Sequence, residues 1–480
     1  MAGELDVQAA CGIMHVHGRA HGAPLTLRLD YASVCAGVLA AQAVTAALLA
    51  LLRGGPALSV TTSVAQAALL ALTQYIAVAT AADPPTPPPT SPVGAGGRRP
   101  PFRAGDGVWF EVETFDAERW REFWAALGAE PRAVAAGWAP FQQRFATAVC
   151  VLPAALGAAA SAADYGGVVA AALAAGVSVL PVRAAAAPLV PAPDSPWRLR
   201  GLSDVIRRPS ALPPLGPDAR APLAGLLVVE STNRVQGPLA GHVLGLLGAD
   251  VVRLEPPGGD PLRGVPPMAG RTSARFLALN RGKRALEADL KSGAGRRAAL
   301  RLVACAHAFL HNWPPGRAAA YGLDHDDLAL VRPSLVHAEA GGWAETLPPP
   351  QPMGTDYLVQ AYSGVAALLA APGEPPAPSL MTLTDVLGAL ISAEGVTAAL
   401  VARARTGTGV RAATALIDAA RLLRTTAPTA GGPPGVRVVD DLAAMAGDPA
   451  YAGAFDVTPH AVHSRAPWTF APAVHLKEAT

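Results

Sequence analysis

The chain contains two copies of one segment. Residues 4–75 (repeat one) align without a gap with residues 356–427 (repeat two) at a constant offset of 352, and 20 of the 72 positions are identical. The matches include ordered runs such as Val-Thr-Ala-Ala-Leu at 44–48 and 396–400. A period this long is not that of a solenoid. The repeat therefore indicates two related units fused in one polypeptide.

A second, shorter match changes what this duplication predicts. Ser-Pro-Trp at 195–197 corresponds to Ala-Pro-Trp at 466–468, but the offset is now 271. The second half is therefore 81 residues shorter at this point, which is about the size of the segment 105–185. The first half, in turn, has no counterpart of residues 223–345. We predict that each half supplies what the other half lacks.

Composition excludes several classes of protein. A length of 480 residues suggests about two to four domains, and a net charge of +2 gives no electrostatic reason to expect a nucleic-acid partner. The four cysteines are scattered and none forms a Cys-x-x-Cys pair, which argues against a metal site and against a disulfide framework. We therefore expect a cytoplasmic protein without a bound metal.

One segment, 33–52, is apolar over a length that could span a membrane. Alanine is only weakly hydrophobic, however, and the equivalent segment 385–404 carries Asp385, Glu394 and Arg403. We therefore predict a buried helix in both repeats and no membrane partner.

Apolar periodicity and proline content divide the chain into seven units. Between 223 and 345 the pattern alternates, with strands predicted at 225–229, 250–255 and 307–311 and helices at 235–247 and 296–306, which indicates a Rossmann-like parallel sheet. The predicted units are a helical segment (1–82), a proline-rich linker (83–104), a small α/β domain (105–185), a connector (186–222), the Rossmann-like domain (223–345), a second helical segment (346–430) and a C-terminal tail (431–480).

The α/β stretch carries three informative strings. They are NRVQGPLAGHVLGLLGADVVRLEPPGGD at 233–260, LNRGKRALEADLK at 279–291 and NWPPG at 312–316. Together they resemble the family III CoA-transferases, the group of formyl-CoA and carnitine-CoA transferases. The resemblance implies an α/β fold in which a Rossmann-like large domain with long helices and a small α/β domain interlock, here as an internal pseudo-dimer.

The resemblance also implies a reaction. Members of this family move CoA from an acyl-CoA to a small carboxylic acid through an enzyme-bound aspartyl anhydride and thioester. Acyl-CoA and the acid would be substrates, and no cofactor would stay bound. The protein would be a homodimer or a pseudo-dimeric monomer. Residues 223–345 would bind CoA and residues 346–430 would carry the catalytic group, whereas the first copy would be degenerate.

Three residues are candidates for the chemistry. Asp385 in MTLTDVLG lies where the family places its nucleophile, although an Asp at this position could equally cap an apolar helix. Asp356 lies 29 residues earlier and would support the site or contact the substrate, or else act as a cap or a solvated carboxylate. Gln236 resembles an active-site glutamine, or caps the helix that follows it. Repeat one has Ser33 opposite Asp385, which predicts a single working site in the second half.

Four residues are candidates for CoA binding by the same resemblance. Lys291 matches a position that contacts the adenosine, and it is one of only three lysines in the chain; a solvated surface lysine is the alternative. Asn312 and Trp313 take the place of an Asn-Phe pair beside the nucleotide, although the Trp313 ring could belong to the core. Arg317 could replace an arginine that the family often has near Ala320.

The departures from the family pattern leave two alternatives open. Pro256, Pro314 and Ala320 stand where the family can place arginines, and losing these should weaken contacts to the CoA phosphates. A catalytically decayed binding or scaffold subunit is therefore one alternative. An acyl-CoA racemase or epimerase is the other, although Thr355 stands where racemases place a histidine, and a threonine cannot shuttle protons near neutral pH.

Overall fold

The structure is a computed structural model and describes residues 3–82, 99–190, 194–201, 210–371, 373–426 and 434–473. Most of the predicted proline-rich linker lies outside these residues. The two repeats contain equivalent elements in the same order, and each repeat carries one long apolar helix followed by a strand and a shorter helix.

The first half consists of the helices of repeat one, then a small three-stranded sheet with four helices, then one isolated strand. Its elements are α1 (Glu4–Ala10), α2 (Ile13–Gly18), α3 (Tyr31–Leu52), β1 (Leu58–Thr62), α4 (Val64–Ala71), α5 (Thr73–Ala79), β2 (Phe102–Arg103), β3 (Trp109–Glu113), α6 (Ala117–Ala126), α7 (Pro131–Thr147), α8 (Ala154–Ala162), α9 (Tyr165–Ala175), β4 (Ser178–Pro181) and β5 (Trp197–Gly201).

The second half begins with alternating strands and helices and continues into repeat two. Its elements are β6 (Leu227–Ser231), α10 (Gln236–Leu246), β7 (Asp250–Glu255), β8 (Met268–Ala269), β9 (Thr272–Ser273), α11 (Ala274–Asn280), β10 (Arg284–Glu287), α12 (Gly293–Cys305), β11 (Ala308–His311), α13 (Arg317–Tyr321), α14 (His325–Val331), β12 (Val336–Gly341), α15 (Asp356–Ser363), α16 (Val365–Leu369), α17 (Leu383–Thr406), β13 (Val410–Ala415), α18 (Leu416–Arg424), α19 (Leu442–Gly447), β14 (Phe455–Val457), β15 (Val462–Ser464) and β16 (Trp468–Pro472).

The large sheet has seven strands in the order β10-β7-β6-β11-β12-β13-β5. Every pair is parallel except β13–β5, which is antiparallel. Gly241 lets α10 pack close to strand β6 of this sheet, because a β-carbon on Gly241 would lie 1.7 Å from Glu230 Oε2. Gly248, with φ +101°, then turns the chain from α10 into β7. The predicted α/β fold with a large, mostly parallel sheet is confirmed.

The two halves exchange a strand. β5 of the first half pairs with β13 of repeat two, whereas β16 at the end of the second half pairs with β1 of repeat one. The register is the same in both: Trp197 lies opposite Thr414, and Trp468 lies opposite the equivalent residue, Thr62. Both offsets, 352 and 271, are therefore explained by two copies of the same fold in one chain. The predicted interlocked pseudo-dimer is confirmed by this exchange.

The long helices of the two repeats, α3 and α17, pack on each other about the same pseudo-two-fold axis. Gln42 Nε2 donates to Thr397 Oγ1 at 3.5 Å, and Thr45 Oγ1 donates to Glu394 Oε1 at 2.9 Å. Gln42 and Glu394 are equivalent positions in the two repeats, as are Thr45 and Thr397. The contacts are thus reciprocal, as in an isologous interface between two subunits.

Length and composition alone would allow both α3 and α17 to cross a membrane, but 83% of the most apolar window of α17 is buried inside the protein. The corresponding figure for α3 is 50%. Val44 of α3 is 68% exposed, whereas its equivalent, Val396, is fully buried. The reason is that α10 and β12 pack on α17. Among the described residues, the first half has no second copy of that α/β stretch to cover α3.

Candidate active site

A cleft opens at the carboxyl ends of the parallel strands, where ligands bind in open α/β sheets. Residues that follow β6, β7, β10 and β11 line it. The lining side chains come from Ser231, Thr232, Asn233, Arg253, Leu254, Glu255, Pro256, Pro257, Asp260, Pro261, Ala288, Asp289, Leu290, Lys291, Trp313 and Tyr321. This list includes Lys291 and Trp313, two of the four residues predicted to bind the nucleotide.

The other two predicted residues lie next to the cleft without lining it. The Arg317 guanidinium is 5.8 Å from the ring centroid of Tyr321, which does line the cleft. Asn312 uses its amide internally: Asn233 N donates to Asn312 Oδ1 at 3.0 Å, and Asn312 Nδ2 donates to Asn233 O at 2.9 Å. Asn312 therefore fixes the loop between β6 and α10 at the edge of the cleft.

The floor of the cleft is a buried ion network centred on Arg253. Its guanidinium donates to Glu230 Oε1 and to Asp260 Oδ2, both at 2.8 Å, and to Glu255 Oε1 at 3.2 Å. Lys283, fully enclosed beside it, donates to Glu230 Oε1 at 2.9 Å. Because Arg253 is already paired with three carboxylates, Lys291 is the cation among the cleft-lining residues that is available to a phosphate.

Asp385 lies in the first turn of α17, and the Asp356 carboxylate accepts hydrogen bonds from that turn. Asp356 Oδ1 accepts hydrogen bonds from Thr384 N (2.6 Å), Thr384 Oγ1 (2.7 Å) and Asp385 N (3.1 Å). Gln360 Nε2 donates to its other carboxylate oxygen. Asp356 thus caps the helix from outside it, which is one of the roles expected from the sequence. Because Asp356 caps the helix, the Asp385 side chain is not needed as its cap.

The same device occurs in repeat one. Glu4 accepts hydrogen bonds from Ala32 N (2.9 Å), Ser33 N (2.8 Å) and Ser33 Oγ (2.6 Å), and Gln8 Nε2 donates to it at 3.0 Å. The carboxylate that holds the helix is therefore common to both repeats. What differs is the side chain that it presents, which is Ser33 in one repeat and Asp385 in the other.

Asp385 is a half-buried residue, and its carboxyl group forms no hydrogen bond or ion pair with the described residues. Burial raises its pKa well above the usual range, the charges of Asp356 and Glu113 raise it further, and Arg234 opposes them. Burial also raises the pKa of Asp356, to about 6, although its hydrogen bonds act in the opposite direction. Once it is ionised, a carboxylate that is both unpaired and poorly solvated is a stronger nucleophile than a solvated one.

Gln236 begins α10 beside the same helix turn. Its Nε2 donates to Gly341 O at 3.3 Å, and a β-carbon placed on Gly388 would lie 3.3 Å from that nitrogen. Gly388 is three residues after Asp385, so Gln236 lies at the Asp385 end of the contact between α10 and α17. The small residue at 388 is what lets the glutamine approach the helix.

The first half closes the site with a buried cluster that the sequence did not reveal. Arg144 of α7 donates to Glu111 Oε1 at 3.3 Å and to Glu113 Oε2 at 3.2 Å, and its guanidinium carbon is 4.6 Å from the Tyr357 ring centroid of repeat two. Burial raises the pKa of Glu111 to about 8. A signal was present, because two glutamates two residues apart on β3 share one face of a strand that is otherwise apolar.

These features define a class of protein: an open α/β sheet with a cleft at its strand ends and, on α17, a carboxyl group that has no hydrogen-bond or ion-pair partner among the described residues. The family model for CoA-transferase family III matches residues 2–213 and, separately, residues 223–445. The chain belongs to CoA-transferase family III, as the resemblance predicted, and the two separate matches agree with a fused tandem arrangement.

Curated relatives match one part of the chain each. A succinate–glutarate CoA-transferase of Agrobacterium fabrum is 34% identical over 210 residues, which cover 42% of this chain and 52% of that protein. An acetyl-CoA:oxalate CoA-transferase of Acetobacter aceti is 34% identical over 201 residues, which cover 42% of this chain and 52% of that protein. The chain thus spans about half the length of these relatives. The crystal structure of a CAIB/BAIF family protein from Brucella suis is 35% identical over 42% of this chain and 55% of that one, with a TM-score of 0.40.

Proposed function

We propose that the protein is an acyl-CoA:carboxylate CoA-transferase with one active site per chain, to which both halves contribute. The observation that carries this proposal is the Asp385 carboxylate. It is unpaired among the described residues, the turn that carries it is capped by Asp356, and the charge of Glu113 from the small domain of the first half acts on it.

The reaction needs only a carboxylate nucleophile and a site that excludes water. An Asp385 oxygen attacks the thioester carbon of the acyl-CoA, the C–S bond breaks, and CoA thiolate leaves behind a mixed anhydride. The thiolate then attacks the Asp385 acyl carbon and releases the first acid, which leaves an enzyme thioester. The acceptor carboxylate repeats these two steps in reverse, so that the acceptor departs as its CoA thioester and Asp385 is regenerated.

The substrates are proposed from chemistry and from similarity. The named relatives act on succinate, glutarate and oxalate. Short dicarboxylates and their CoA thioesters are therefore the first compounds to test. The racemase alternative has no observation in its favour, since Thr355 provides no proton-shuttling group beside Asp385.

A decayed binding or scaffold subunit is the second candidate, because one observation favours it. The cleft offers Lys291 to the phosphates of CoA, but Arg253 is committed to carboxylates, and prolines stand where the family can place arginines. Calorimetric titration with CoA separates the two cases. Saturable binding at micromolar to millimolar CoA supports the transferase, whereas no binding at millimolar CoA supports the decayed subunit.

The decisive experiment compares Asp385→Ala with Ser33→Ala, the same helix position in repeat one. Wild-type protein is incubated with succinyl-CoA, and its intact mass is measured before and after hydroxylamine treatment. We expect a hydroxylamine-sensitive CoA adduct and CoA exchange to glutarate in the wild type and in Ser33→Ala, and loss of both in Asp385→Ala. Full exchange activity in Asp385→Ala would overturn the proposal.

A further inference from the structure

Arg234 has an unusual backbone conformation and directly follows Asn233, which lines the cleft. Its φ is +62°, in the left-handed region that residues other than glycine rarely adopt. The preceding residue, Asn233, is clamped through both its N–H and its carbonyl by the Asn312 side chain. A strained conformation that the surroundings hold in this way is typical of functional sites. The clamp therefore fixes the backbone from which the Arg234 side chain extends.

The guanidinium of Arg234 points across the boundary between the two halves. Its central carbon lies 3.2 Å from the ring centroid of Phe115 and 5.8 Å from that of Phe145, both in the small domain of the first half. Stacking on Phe115 occupies one face of the guanidinium and leaves its N–H edge available. Of the described residues, none forms a hydrogen bond or an ion pair with Arg234. Arg144 nearby, in contrast, is paired with two glutamates.

The charged groups that act on Arg234 include Asp385, the nucleophile of the proposed reaction. Glu113 and Asp385 both favour its charged form, whereas Arg144 and burial oppose it, and burial is the largest influence, so that the net effect is a lowered pKa. The charges of Asp356 and Glu113 both act on Asp385, so an acceptor acid must enter a site that already holds these two carboxyl groups. Without a cation, a third carboxylate would be repelled and poorly solvated there.

We propose that Arg234 binds the reacting carboxylate of the acceptor acid, and so selects carboxylates over uncharged nucleophiles. This inference rests on the proposed function. When Asp385 has become a thioester its negative charge is gone, and Arg234 has lost one of the two anions that act on it. The incoming carboxylate takes the place of that charge, and the planar guanidinium can hold it through two parallel N–H bonds. The free oxygen lone pair then attacks the Asp385 acyl carbon, and CoA thiolate leaves.

The test separates the two half-reactions in the full-length protein. Wild type, Arg234→Gln and Arg234→Lys are converted to the CoA thioester with succinyl-CoA, and its decay is followed by intact mass with glutarate or with hydroxylamine, which is uncharged. Glutamine and lysine, like arginine, are unbranched at the β-carbon, so the two variants and the wild type have a similar backbone restriction at position 234. Arg121→Gln, an exposed arginine of the small domain, is the control for loss of charge.

We expect Arg234→Gln to raise the KM for glutarate about 10- to 100-fold, the range for losing a charge-assisted hydrogen bond. Its hydroxylamine reaction should stay within about threefold of wild type, and Arg234→Lys should recover part of the glutarate affinity. An unchanged KM for glutarate in Arg234→Gln overturns the inference, and so does an equal loss with both nucleophiles. If wild type forms no thioester at all, it is the proposed function that fails.

Discussion

Thr45 and Glu394 form a hydrogen bond that joins the two repeats through their long helices. Thr45 Oγ1 donates to Glu394 Oε1 at 2.9 Å, while Glu394 Oε2 is buried and has no partner among the described residues. The equivalent of Glu394 in repeat one is Gln42, a neutral side chain of the same shape. The pseudo-symmetric interface thus carries a buried carboxylate on one side and an amide on the other.

Glu394→Gln should stabilise the protein in a manner that depends on pH. Burial raises the pKa of Glu394 to about 7, from 4.5 in the unfolded chain. A raised carboxyl pKa means that the folded state loses stability as pH rises from about 4.5 through 7. The substitution should therefore raise the free energy of unfolding by up to about 3 kcal/mol at pH 8 and by under about 1 kcal/mol at pH 5. Urea denaturation at the two pH values measures this.

The reverse change provides the control for this prediction. Gln42→Glu places a second buried carboxylate in the same interface and should destabilise the protein at pH 8 more than at pH 5. A gain from Glu394→Gln that is equal at both pH values would mean that packing, and not ionisation, is responsible.

Asp356→Asn should shift the pH dependence of thioester formation to lower pH. The charge of Asp356 helps to raise the pKa of Asp385, and Asp385 must be ionised to attack. Removing that charge lowers the Asp385 pKa, so the rate should reach half of its maximum at a lower pH than in wild type. Stopped-flow or quenched acylation with succinyl-CoA over pH 4–9, at a fixed ionic strength, measures the profile.

Repeat one offers a matched control for this experiment as well. Glu4 caps α3 through the same backbone positions, but no carboxylate stands at Ser33. Glu4→Gln should weaken a helix cap to a similar degree while leaving the pH profile unchanged. A similar shift in both variants would assign the effect to helix stability and not to the charge of Asp356.

Lys291→Ala and Trp313→Ala should each weaken CoA binding about tenfold, since both residues line the cleft. Trp313→Phe should keep most of the affinity, because it keeps an aromatic ring against the stacked His311. The affinity of Lys291→Ala should also depend less on salt than that of wild type. Isothermal titration with CoA at two salt concentrations tests this, with the exposed Arg301→Ala on α12 as control. Unaltered affinity in both cleft variants would place CoA elsewhere.

Arg144→Met should destabilise the small domain by about 3–5 kcal/mol, because it leaves Glu111 and Glu113 buried without their cation. Arg121→Met breaks the exposed pair with Glu118 and should change stability by no more than about 0.5 kcal/mol. Thermal unfolding of the two variants gives the comparison. Equal effects would show that the buried cluster contributes nothing beyond an exposed ion pair.

Much of the architecture could be predicted because it is written in the sequence as periodicity and repetition. Strand β7 is predicted with the bounds Asp250–Glu255 that the structure has, since Val251, Val252 and Leu254 lie between the turn at Gly248 and the Pro-Pro-Gly-Gly loop. The match between Trp197 and Trp468 predicts that the two halves have equivalent ends, and these residues lie in β5 and β16, the strands that the halves exchange. Both predictions depend on local pattern or on internal identity.

The parts that could not be predicted depend on contacts between distant segments. Arg144 and Tyr357 are 213 positions apart in the chain, and no local pattern relates them. Asn312 was expected beside the nucleotide, but its amide holds the backbone of Asn233. Arg234 stands two residues before Gln236, yet its positive φ and its stacking on Phe115 appear only when the two halves are brought together.

Because β5 and β16 are exchanged within one polypeptide, the assembled site should also respond differently to dilution of the protein than the site of a two-chain dimer would. In a two-chain dimer the encounter of the halves follows mass action, so the assembled site is lost as the protein concentration falls. Here both halves belong to one polypeptide, and the chain itself sets their effective concentration. Each half can also change its sequence independently of the other, which a pair of identical subunits cannot do. The difference between Ser33 and Asp385 is one result of that freedom.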